Sequence, residues 1–170
     1  MKVTLALAAA LLVQLAACDY TAPLTSSPQA AIDRDLVGVW QSTATEDENQ
    51  TLLVLPLGQK EYLISFPAGQ KDAMFARVCQ CSCAGKTLAQ IQWIGTAAGV
   101  VPDNDRVYQY ASCALAGQEL TIRLLNPDIV NKNVKTTEQL VRAIEAAKDH
   151  PALFREPMKF KRVKKGEDER

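Results

Sequence analysis

Apolar and polar positions alternate in short runs over most of the chain, punctuated by Gly, Pro, Asn and Asp. The first run spans 36–43 and meets a polar turn at 46–49. A second, 50–55, stops at Pro56. After the turn at 57–60, Tyr62, Ile64 and Phe66 alternate with Leu63 and Ser65, until 67–72 breaks the run. Residues 74–83 make a fourth strand, turned at 84–86. Residues 88–94 make a fifth, with Ala89, Ile91 and Trp93 on one face and two glutamines on the other. Beyond a loop at 95–105 come 107–115 and, after the turn at 116–118, 120–125. A period of two puts alternate side chains on opposite faces, and turn signals every eight to twelve residues are those of an antiparallel meander.

One segment has a different period. Thr136 and Gln139 form a capping box, and Leu140, Ile144 and Ala147 follow as an apolar stripe at helical spacing. Pro151 ends this helix near His150. Leu153 and Phe154 then return the chain to the body, 158–163 forms a last strand, and 164–170 is a charged tail. The predicted class is mainly β. The meander closes into a barrel of about eight strands, with one α-helix before the last strand. Closure removes exposed sheet edges, and a barrel of this size encloses side chains or one small ligand.

Gly38, Val39 and Trp40 stand on the opening strand, and Arg162 shares a face of the closing strand with Phe160 and Met158. With a helix before the last strand, this layout resembles the lipocalin and calycin group. The resemblance implies that a basic residue of the final strand, here Arg162, packs across Trp40 and closes the barrel base. Gly38, Trp40 and Arg162 are therefore expected to be structural. Short strands and few bulky residues point to a largely filled interior with a shallow mouth.

The first residues change the picture of where this domain sits. Met1-Lys2 precedes an apolar run at 3–15, too short to span a bilayer as a mature helix. The run ends in Leu15-Ala16-Ala17-Cys18, which resembles a bacterial lipobox: small residues suit the lipoprotein signal peptidase, and the Cys18 thiol accepts diacylglycerol. The expected organisation is a signal peptide at 1–17, a lipidated N-terminus and flexible tether at 18–31, the lipocalin-like barrel at 32–163, and the tail at 164–170. The protein is then expected at the periplasmic face of a Gram-negative-type envelope. Asp19 resembles an inner-membrane retention signal and leans the choice between membranes that way. The whole resembles a lipocalin-like bacterial lipoprotein.

Composition narrows the partners. The 170 residues carry 19 basic and 19 acidic side chains, and only 6% are aromatic. Nucleic-acid binders need a clustered basic excess and stacking platforms, so that class is set aside. The partners expected are the membrane, through the anchor, and a small apolar molecule or an envelope protein. No cofactor is implied.

Cys79, Cys81 and Cys83 stand in Cys-x-Cys-x-Cys spacing, so all three thiols face one side of a strand, and Cys113 makes a fourth. An oxidising envelope favours disulfides. Strand neighbours bridge only with strain, however, and Cys113 lies two strands away, roughly 9–10 Å between backbones. A thiolate cluster of Cys79, Cys81, Cys83 and Cys113 for a soft metal, or a thiol redox site, is the alternative function. The other reading makes them small apolar residues on an inner face. A three-residue turn at 84–86 places the triplet inside beside Ala89, Ile91 and Trp93; a two-residue turn places it outside beside the glutamines. The inner placement is the expectation.

His150, the only histidine, precedes a proline at a helix end, which suits a dipole partner better than a catalytic base. Asp103-Asn104-Asp105 has half the pattern of a calcium loop, without its glycine and distal glutamate. No constellation for catalysis appears, so a non-enzymatic binding or interaction module is expected. Tyr62, Phe66, Trp93, Tyr108 and Tyr110 are the candidates to line its pocket.

Overall fold

The computed structural model describes residues 20–43, 50–102 and 106–163. The expectations for the signal peptide, Cys18, Asp19, the 46–49 turn, Asp103–Asp105 and the 164–170 tail lie outside the described residues. Eight strands follow in chain order: β1 (Gly38–Ser42), β2 (Thr51–Leu57), β3 (Glu61–Phe66), β4 (Met74–Cys83), β5 (Lys86–Thr96), β6 (Tyr108–Ala116), β7 (Glu119–Leu124) and β8 (Met158–Arg162). Each pairs antiparallel with the next, and β8 pairs back onto β1 to close the barrel. The helix α1 (Thr137–Ala147) lies between β7 and β8, as the sequence predicts. Thr136 is its N-cap and accepts from the Gln139 N–H at 3.2 Å. The Gln139 side chain reaches back to the Lys135 N–H at 2.8 Å. Leu140 and Ile144 are buried, so the stripe faces the barrel wall.

Turn geometry sets which face each strand turns inward. The expected inner placement of the cysteine triplet is wrong. Cys83 pairs with Lys86, so Ala84 and Gly85 alone make the β4–β5 turn. Both have positive φ, 52° and 72°, the left-handed pair that a two-residue hairpin requires. Alanine rarely adopts that conformation, which is why the sequence reads more easily as a three-residue turn. The register puts Cys79 opposite Gln90 and Cys81 opposite Leu88, on the outer face of the wall.

Two cores result. Inside the barrel, Trp40, Leu52, Val54, Tyr62, Phe66, Val78, Leu120 and Phe160 form one cluster. Outside, Cys83, Leu88 and Tyr110 of the wall pack with Leu140 and Ile144 of α1, with Val130 and Leu153, and with Tyr20. Among the described residues the outer face of β1 and β2 has no such cover, and Val39, Leu55 and Leu57 are exposed there.

Tyr20 belongs to a segment expected to be a flexible tether. Residues 20–25 instead pack as a strap along the wall, whereas Ser26, Ser27, Gln29, Ala30 and Ala31 stay exposed. Tyr20 is fully buried; its backbone exchanges hydrogen bonds with Tyr108 at 3.1 and 3.0 Å, and its hydroxyl donates to the Val130 carbonyl at 2.9 Å. Midway, the buried Gln90 side chain acts as a clamp. Its Oε1 accepts from the Leu24 and Thr25 N–H groups at 2.7 and 3.0 Å, and its Nε2 donates to the Thr25 carbonyl at 2.9 Å. Thr137 Oγ1 donates to the Pro23 carbonyl, and Ile32 N–H reaches Gln59. A short 3₁₀ turn, Arg34–Leu36, capped by Asp33, leads from the strap into β1. Two prolines and no charge in 20–31 resemble a linker in composition, but the backbone of Tyr20 and of Ala22 to Thr25 finds its partners on the barrel and α1.

Candidate ligand cavity inside the barrel

The base is built from β1 and β8. Trp40 pairs with Arg162 across the closing seam, and the guanidinium carbon sits 4.2 Å from the Trp40 ring centre. Arg162 Nη1 donates to the Val37 carbonyl at 2.9 Å, and Nη2 donates to Asp35 O. Trp40 Nε1 donates to the Leu36 carbonyl at 2.9 Å, tying the 3₁₀ turn to the same group. Gly38 makes the passage: a Cβ there would lie 2.8 Å from Arg162 Nη1, and its φ of 148° is one that other residues rarely adopt. The three structural residues expected from the sequence thus form one cation–π and hydrogen-bonded base.

Above and beside this base the interior is not filled, contrary to the expectation from the short strands. Two lobes meet at Leu52, Ile64, Ile91 and Ile122. The smaller, about 70 Å³, lies toward the end formed by the β3–β4 and β5–β6 connections and touches Phe66, Met74, Trp93 and Val107. The larger, about 190 Å³, lies toward the base end and is lined by Val54, Tyr62, Val78, Ala111, Cys113 and Leu115, with Asp33, Gln80 and Thr87 supplying polar groups. An apolar cavity of about 150 Å³ is enough to hold a single aromatic ring.

Of the aromatic candidates, Tyr62, Phe66 and Trp93 line this interior. Tyr108 and Tyr110 do not. They lie opposite Gln92 and Gln90 on the outer face, and Tyr110 packs against Tyr20 with ring centres 5.4 Å apart. The alternation of β6 explains this: Gln109, Ala111 and Cys113 take the inward positions, so the tyrosines point out. Gln109 also lines the smaller lobe, a polar residue that apolar patterning alone does not single out. A polar residue sharing a face with Val107 and Ala111 was its signal.

Polar chemistry in the cavity is sparse. The Tyr62 hydroxyl accepts from the Asp33 N–H at 2.6 Å and donates to the Asp33 carbonyl at 3.1 Å, fixing the start of the 3₁₀ turn over the larger lobe. Burial pushes the Tyr62 hydroxyl pKa up. Cys113 has accessible surface, but its side chain lines the larger lobe, and burial pushes its thiol up to about 11. The thiol is therefore neutral at physiological pH.

The four cysteines do not converge. Cys113 faces the lumen, whereas Cys79, Cys81 and Cys83 face outward beneath the strap and α1, with β5 between the two groups. Burial, reinforced by its two neighbouring cysteines, pushes Cys81 up to about 12, and its Sγ donates to the Leu88 carbonyl at 3.6 Å. Among the described residues, no three His, Cys, Asp or Glu side chains are grouped to hold a metal ion. His150 is exposed, and its Nδ1 accepts from the Ala152 N–H at 3.1 Å in the turn after α1.

Comparison of the chain with protein-family models, with curated proteins and with solved structures returns no match.

Proposed function

We propose that this protein is a non-enzymatic, lipid-anchored envelope module that holds a small apolar molecule inside its barrel. The observation that carries this reading is the two-lobed, mainly apolar interior above a base fixed by Trp40 and Arg162. A solid-core barrel has no need of such space, because unfilled volume lowers stability. Cavity size favours a single ring or a short alkyl chain; an elongated molecule would pass from one lobe to the other between Leu52, Ile64, Ile91 and Ile122. Asp33 at the rim of the larger lobe is the one charged residue among the described lining residues, so burial of apolar surface would supply the affinity. The lipobox supports attachment through Cys18 at the periplasmic face of the envelope, and Asp19 supports the inner membrane.

Thermal unfolding of the domain starting at Asp19, with a panel of short alcohols, fatty acids and aromatic compounds, tests the ligand role. A concentration-dependent rise in Tm is expected. No rise across the panel removes that role and leaves binding to an envelope protein through the exposed outer face of β1 and β2. Mass spectrometry of the protein from bacterial membranes tests the anchor, with diacylglyceryl on Cys18 as the expected modification.

A further inference from the structure

We infer that the barrel end carrying Tyr20 and the Val100–Val101 tip is a membrane-seating surface, which holds the barrel flush on the lipid headgroups. This rests on the proposed lipidation of Cys18. The first observation is the strap. Because Tyr20 is locked to Tyr108 and Val130, no slack chain separates the anchor from the barrel. Cys18 is two residues before Tyr20, so their Cα atoms lie within about 7 Å whatever the intervening conformation. A diacylglyceryl group on Cys18 therefore brings this end, and not the Trp40–Arg162 base, to the bilayer.

The second observation is independent of the anchor. Val100 and Val101, 55% and 66% exposed, are the most exposed large hydrophobic residues among those described. They belong to this same end. Val100 O accepts from the Thr96 N–H at 2.8 Å, and Trp93 N–H donates to Val107, the residue before the Tyr108 that pairs with Tyr20. Apolar side chains at a loop tip gain by entering the interfacial region of a bilayer, and a diacylglyceryl anchor on Cys18 holds them close enough to do so. The smaller lobe of the cavity lies toward this end, so seating would turn it to the lipid rather than to the periplasm.

The test uses the full-length lipoprotein, purified from bacterial membranes and reconstituted in phosphatidylethanolamine–phosphatidylglycerol vesicles. In protein whose accessible Cys113 is replaced (Cys113→Ser), an environment-sensitive fluorophore is attached at Val101→Cys or, at the opposite end, at Gln118→Cys; both sites are exposed. Headgroup-level spin-labelled lipids should quench the probe at 101 several-fold more strongly than the probe at 118. A Gly/Ser spacer inserted between Cys18 and Tyr20, combined with Val100→Ser and Val101→Ser, should remove the preference when the probe is moved to Ala98→Cys, an exposed position. Equal or absent quenching at 101 and 118 in a protein whose Cys18 carries its lipid overturns the seating alone. An unmodified Cys18 overturns both the seating and the anchor.

Discussion

At the scale of single residues, Trp40 and Gly38 illustrate how one cluster fixes the base. Trp40 is fully buried, so Trp40→Ala should cost about 3–5 kcal/mol in a denaturant titration. Gly38→Ala adds a methyl group where Arg162 passes and forces an unfavourable φ, and should cost about 1–3 kcal/mol in the same titration. A negligible loss in both variants contradicts the base described here. Cys113 predicts a pH dependence. Burial raises its pKa from 9.0 to about 11, so the folded protein holds about a hundredfold less thiolate at neutral pH than a free thiol. Its alkylation, followed by mass spectrometry, should rise with pH and level off only near 11. Because the folded value lies above the unfolded one, this group's contribution to stability is present below pH 9.0 and is lost as pH rises toward 11.

At the scale of elements, the strap and the β4–β5 hairpin decide what is covered. Gln90 makes three hydrogen bonds to the strap backbone, and Gln90→Ala would leave those groups unpaired under a buried surface. A loss of about 2–4 kcal/mol is expected, with faster alkylation of Cys79 and Cys83 as the strap lifts. Unchanged thiol protection would show that the strap does not depend on this clamp. The same elements mark the limit of what the sequence discloses. Strand alternation, the Thr136–Gln139 cap and the Gly38–Trp40–Arg162 base are legible because each rests on local spacing or on a resemblance carried by named residues. The outward turn of the cysteine triplet rests on Ala84 adopting a left-handed conformation, for which its residue type gives no signal. Gln90 reads as a wet-face residue in the alternation; only the folding of 20–25 over β5 makes it a buried clamp. Tertiary cover of this kind leaves no period in the chain.

At the scale of the whole molecule, the barrel combines a closed base, a covered side and an unfilled lumen. The lumen was the least legible feature, since a volume depends on how eight strands splay and no single inward residue reports it. Its two lobes carry the central claim of an apolar ligand, and a cavity-filling substitution separates that claim from non-specific binding. Cys113→Phe would fill part of the larger lobe with apolar volume. The most direct measurement is thermal unfolding of the wild-type domain and of Cys113→Phe during titration with 1-octanol and with indole. At a hundredfold excess over Kd the wild-type protein should gain about 2.7 kcal/mol, a rise in Tm of roughly 5–10 °C. The variant should unfold cooperatively with little or no rise. No rise in the wild-type protein, or an equal rise in both, would contradict a ligand site in the barrel interior.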